Sequence, residues 1–125
     1  MSRLIIFDVD STLLAVESLD FAVERALKAA PDGPERTRQL KAITDQGMAG
    51  ALDFRTSLEQ RLEIASLSRD QVEEAREALR SQQTPGMADL IERLRQKNCE
   101  VAAVSGGFID LVEPALKDMG LSPGE

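Results

Sequence analysis

Asp8 and Asp10 stand one valine apart at the end of an apolar run, Leu4-Ile5-Ile6-Phe7, and Ser11 and Thr12 follow at once. Carboxylates so close repel each other, so the pattern calls for a compensating charge. On a continuing strand, residues i and i+2 face the same way, which would make the two carboxylates converge. With oxygen donors only, the natural counter-charge is Mg²⁺. The competing reading is a plain strand-ending turn in which Asp10 and Ser11 satisfy local backbone groups. A second apolar run, Val101-Ala102-Ala103-Val104, enters Ser105-Gly106-Gly107. That triplet is a tight turn into a helix, and an ordinary N-cap reading stands beside a functional one.

Composition limits the rest of the chemistry. Histidine is absent and Cys99 is the only cysteine in 125 residues, which excludes imidazole-based triads, histidine–zinc sites and any intrachain disulfide. Catalysis would have to rest on carboxylates, hydroxyls, lysine, arginine and a hard metal. Acidic residues number 22 against 15 basic, a net charge of -7 that works against a nucleic-acid partner. The short apolar runs include none able to span a bilayer, and no secretory pattern follows Met1, so a cytoplasmic protein is expected.

The elements that must position these residues follow from periodicity. Leu4 to Phe7 and Val101 to Val104 have no alternation and read as parallel strands buried on both faces. Between them the spacing turns helical. Leu19, Ala22, Val23, Ala26 and Leu27 define a first helix, stopped by Ala30-Pro31-Asp32-Gly33-Pro34. Leu40, Ile43 and Met48 suggest a second, with Gly47 and Gly50 bracketing its end. Asp53 would cap a third carrying Phe54, Leu58, Leu62 and Ala65. Ser68 would cap a fourth carrying Val72, Ala75 and Leu79. Thr84-Pro85-Gly86 breaks the chain before a fifth through Met87, Leu90, Ile91 and Leu94, and a last helix runs near Phe108 to Met119, where Pro114 is awkward. The order is strand, four-helix insertion, helix, strand, helix.

These residues carry a resemblance. Asp8-Val9-Asp10-Ser11-Thr12 resembles the first motif of the haloacid dehalogenase superfamily. Glu17, the run Ile43 to Phe54 continuing through Ser57-Leu58 to Arg61-Leu62, and Val104-Ser105-Gly106-Gly107-Phe108 resemble the phosphoserine phosphatase family within it, with Thr84-Pro85-Gly86 at the usual distance before the last. The resemblance implies an α/β fold: a partial haloacid dehalogenase-like Rossmannoid core of parallel strands and helices at residues 1–14 plus 82–125, and an inserted four-helix cap at 15–81. It also implies a Mg²⁺-dependent phosphomonoester hydrolase of serine biosynthesis acting on phosphoserine. Asp8 would be the nucleophile forming an aspartyl phosphate, and Asp10 the general acid and base. Asp8 and the Asp10 backbone carbonyl would be metal ligands. Ser105 and the Gly106 amide would hold the phosphate, Arg61 the substrate carboxylate and Glu17 its ammonium. Met48 and Phe54 would wall the site from water. Without the resemblance, Arg61 reads as a solvated charge, Glu17 as a first-turn acid, and Met48 and Phe54 as cap core.

The family also uses a later lysine and a Gly-Asp-rich metal loop, and no matching residues follow Ser105; Lys117 lies too early. The expectation is therefore the N-terminal part of a longer phosphatase, with a small core and uncovered strand edges that promote self-association. The alternative to a working hydrolase is a non-catalytic fragment or a phosphate and amino-acid binding module of the same lineage.

Overall fold

The computed structural model describes residues 3–106 and 108–121. The chain divides into two compact units, one made of residues 1–22 with 72–125 and the other of residues 23–71. Strand β1 spans Arg3–Asp8, followed by a wide turn over Val9–Leu13 and helices α1 (Ser18–Lys28), α2 (Gly33–Met48), α3 (Phe54–Ala65), α4 (Arg69–Leu79) and α5 (Met87–Gln96). Strand β2 (Cys99–Val104) and helix α6 (Ile109–Asp118) complete it.

In the first unit, β1 and β2 pair in parallel from Arg3 against Cys99 to Asp8 against Val104. The turn into β2 uses Asn98 in the left-handed region at φ 62, a conformation asparagine tolerates better than most residues. Among the described residues the sheet has these two strands, and α5 packs against β2. The expectation of strands buried on both faces does not hold: Leu4 is 58% and Ile6 57% exposed, and Ile5 and Phe7 are half-buried. The missing alternation signalled a parallel strand correctly. It could not signal burial, because burial needs a layer over each face, and among the described residues none covers the face with Leu4 and Ile6. Among the described residues, the unit's largest fully enclosed apolar side chains lie elsewhere, at Val9, Leu13, Leu14, Leu79, Ile91 and Val112. Pro114 sits inside α6, which still buries Leu111, Val112, Ala115 and Leu116.

In the second unit, α2 and α3 form a helical hairpin. Pro34 lies in the first turn of α2, where its missing N–H costs nothing; the stretch Pro31-Asp32-Gly33-Pro34 thus ends one helix and starts the next. Asp53 caps α3, its carboxylate accepting the Thr56 N–H at 2.7 Å. The Arg36 guanidinium of α2 donates to the carbonyl of Ile64 at 2.9 Å and also to that of Ala65, satisfying the last turn of α3. At the opposite end of the hairpin the helices approach closely, since a Cβ on Gly47 would lie 3.0 Å from the Ser57 hydroxyl oxygen. Just after this unit's helices, Ser68 and Gln71 exchange bonds of 3.1 and 2.8 Å as a capping box for α4.

Candidate active site

Strand pairing stops at Asp8, so the continuing-strand argument for Asp10 fails. Val9 turns fully inward as a hydrophobic anchor, and the Leu14 N–H donates to the Val9 carbonyl at 2.9 Å to close a wide turn. Asp10 keeps extended angles within that turn (φ -66, ψ 130), whereas Ser11 takes the left-handed conformation at φ 59. Each aspartate is held by backbone: one Asp8 carboxylate oxygen accepts the Val9 N–H at 2.9 Å, and one Asp10 oxygen accepts the Ser18 N–H at 3.1 Å. The turn reading holds, and each carboxylate has a second oxygen beyond the one that takes its backbone bond. Ser18 itself is buried at the start of α1, so its amide is a fixed donor.

The loop beyond is closed twice. The Ser11 N–H donates to the Val16 carbonyl at 3.1 Å, and the Ser11 hydroxyl donates to Glu17 Oε1 at 2.8 Å. From the other side, the Thr84 N–H donates to the Leu13 carbonyl at 2.9 Å, the Thr84 hydroxyl donates to the Thr12 carbonyl at 2.5 Å, and the Ala15 N–H donates to Gln82 at 2.7 Å. Thr84 thus ties the break before α5 to the first motif.

Because Asp8 pairs with Val104, the next residue along β2, Ser105, stands at the same carboxyl edge of the sheet as Asp8. This edge is where open parallel sheets bind ligands. Gly106 is exposed, and a Cβ there would meet no atom within 4 Å, so its backbone is open to approach. Gly107 lies outside the described residues. The donors at Asp8 and Asp10 are hard oxygens, the kind Mg²⁺ takes. Among the described residues no cluster of three or more acidic, cysteine or histidine side chains gathers to hold a metal.

Arg61, Met48 and Phe54 belong to the other unit and come together there. With Thr44, Gly47, Leu52 and Ser57 they line a cavity of about 310 Å³ between α2 and α3. Met48 is 84% and Phe54 68% exposed, so neither is cap core. Arg61 is half-buried rather than fully solvated. Sequence reasoning named Ser11 and Thr84 only as members of motifs and passed over the Ser18 amide. The left-handed angle at Ser11 had no sequence signal, since serine is seldom placed there.

A family model for haloacid dehalogenase-like hydrolases matches residues 2–123. The chain belongs to that family. It is 37% identical over 108 residues to a phosphoserine phosphatase from Mus musculus, an alignment covering 86% of this chain and 44% of the mouse protein. A phosphoserine phosphohydrolase-like protein from Francisella tularensis superposes with a TM-score of 0.75 at 32% identity, over 97% of this chain and 55% of that one. A phospho-aspartyl intermediate analogue of a phosphoserine phosphatase superposes with a TM-score of 0.66 at 32% identity, over 96% and 53%. The chain spans about half the length of these relatives. No described helix of this haloacid dehalogenase-like hydrolase is long and apolar enough to cross a membrane.

Proposed function

We propose that the chain supplies the nucleophile, the acid–base group and the substrate-reading surface of a Mg²⁺-dependent phosphoserine hydrolase of cytoplasmic serine biosynthesis. The observation that carries this reading is the parallel register, which brings the edge after Asp8 and the edge after Val104 side by side. Residues 1–14 with 82–125 would act as the α/β core and residues 15–81 as its cap.

Asp8 attacks phosphorus and the phosphorus–oxygen bond to serine breaks, leaving an aspartyl phosphate. Asp10 gives a proton to the departing serine oxygen and later takes one from the water that attacks the same phosphorus, as the bond from phosphorus to the Asp8 oxygen breaks, phosphate leaves and the Asp8 carboxylate is restored. The Ser18 amide holds one Asp10 oxygen and leaves the other for proton transfer. Asp8 and the Asp10 carbonyl would hold Mg²⁺, which when bound offsets phosphoryl charge. Ser105 and the Gly106 amide would cradle phosphate. Arg61 suits the planar carboxylate of phosphoserine and Glu17 its ammonium. Met48 and Phe54 would wall the site from water; their exposed side chains beside Arg61 support that role. The exposed Leu4 and Ile6 face supports self-association.

The experiment is phosphate release from phosphoserine by the 125-residue chain. Release is expected with Mg²⁺, absent after chelation, and lower by at least about 10³-fold in Asp8→Asn, as for loss of a covalent nucleophile. Release that survives either change overturns the mechanism. Binding of phosphoserine without release favours the binding-module alternative.

A further inference from the structure

Ser11 occupies a backbone conformation that a serine adopts at a cost. Its φ of 59 lies in the left-handed region, where glycine is the default and other L-residues are penalised. A side chain kept at such a position is explained when it makes a bond that glycine could not. The bond here is the 2.8 Å donation from the Ser11 hydroxyl to Glu17 Oε1. The backbone closure by the Ser11 N–H to Val16 needs no side chain at all, so it cannot account for the serine.

The geometry also constrains Glu17. Both side chains are exposed, and an exposed glutamate ordinarily samples many rotamers. A hydroxyl fixed by the turn and donating to one oxygen reduces that freedom and leaves the second oxygen to face a cation. The same turn carries Asp10, one residue before Ser11, so the orientation of Glu17 is set from within the motif that holds the acid–base carboxylate.

We propose that Ser11 is a positioning residue for substrate selection: its hydroxyl holds the Glu17 carboxylate ready for the ammonium group of an amino-acid phosphomonoester. The proposal rests on the reading of Glu17 given under Proposed function. Pre-orienting an anion reduces the ordering cost of binding its cation, so the effect falls on ligands that carry an ammonium.

The test compares binding of O-phosphoserine with that of 3-phosphooxypropionate, the same ester without its amino group, by calorimetry on the whole chain in Mg²⁺ buffer. Ser11→Gly suits the backbone angle and removes the short CH2OH side chain with its hydroxyl, so folding is retained, which a thermal melt verifies. The preference of Ser11→Gly for phosphoserine is expected to fall by about 3- to 10-fold, the scale of one hydrogen bond, with affinity for the amine-free ester unchanged. Equal loss for both ligands overturns the proposal, because a general structural role would act on both. Preference lost in Glu17→Gln but kept in Ser11→Gly overturns the role of Ser11 and leaves that of Glu17 standing. A wild-type chain with no preference overturns the reading of Glu17 and this proposal with it.

Discussion

The Asp53 carboxylate, one residue before Phe54 at the cavity, is held below the usual aspartate range by the hydrogen bond from the Thr56 amide. A carboxyl group with a depressed folded value contributes stability above its unfolded value of about 3.9 and loses it as pH falls through the folded value. Acid titration of the chain is therefore expected to fray the first turn of α3 below about pH 4. The Thr56 amide shift in NMR follows this directly, and in Asp53→Asn the cap should persist without that acid transition. Asp53 and Ser68 were legible as caps because capping is a matter of four consecutive residues. The donation from Ser11 to Glu17 and the grip of Ser18 on Asp10 were not. They depend on one left-handed residue reversing the chain, and residue type alone does not announce that angle.

At the scale of elements, the joint between α1 and α2 tolerates no side chain at Gly33. A Cβ there would lie 2.1 Å from the Leu27 carbonyl oxygen, a clash with backbone that no rotamer relieves. Gly33→Ala is expected to destabilise the chain by about 1–3 kcal/mol, the range for forced overpacking, measured as a shift in the denaturant midpoint. Helix positions were readable because amphipathic spacing is a local record of a buried stripe, as in α5, where Ile91 is enclosed. Strand environment was less so. The run Leu4 to Phe7 has the composition of a strand buried on both faces, yet its exposure is decided by which layers lie over it, information held far along the sequence.

At the scale of the whole molecule, the uncovered face of the sheet shapes solution behaviour. Leu4, Ile6 and Val104 are each more than half exposed, and exposed apolar strands favour association between chains. Ile6→Lys is expected to shift the sedimentation profile toward monomer at concentrations where the wild type associates; an unchanged profile would place the contact elsewhere. The acidic charge of -7 opposes such contacts over distance, so added salt should strengthen them in the wild type. The pairing of Arg3 with Cys99 has a consequence during synthesis. At ribosomal speeds of about 5–20 residues per second, β1 emerges on the order of 5–20 s before β2 exists to receive it. The α2–α3 hairpin, whose contacts are local, can fold during that wait. The apolar first strand meanwhile has no strand partner of its own, which makes the nascent chain a candidate for chaperone capture until Val104 leaves the ribosome.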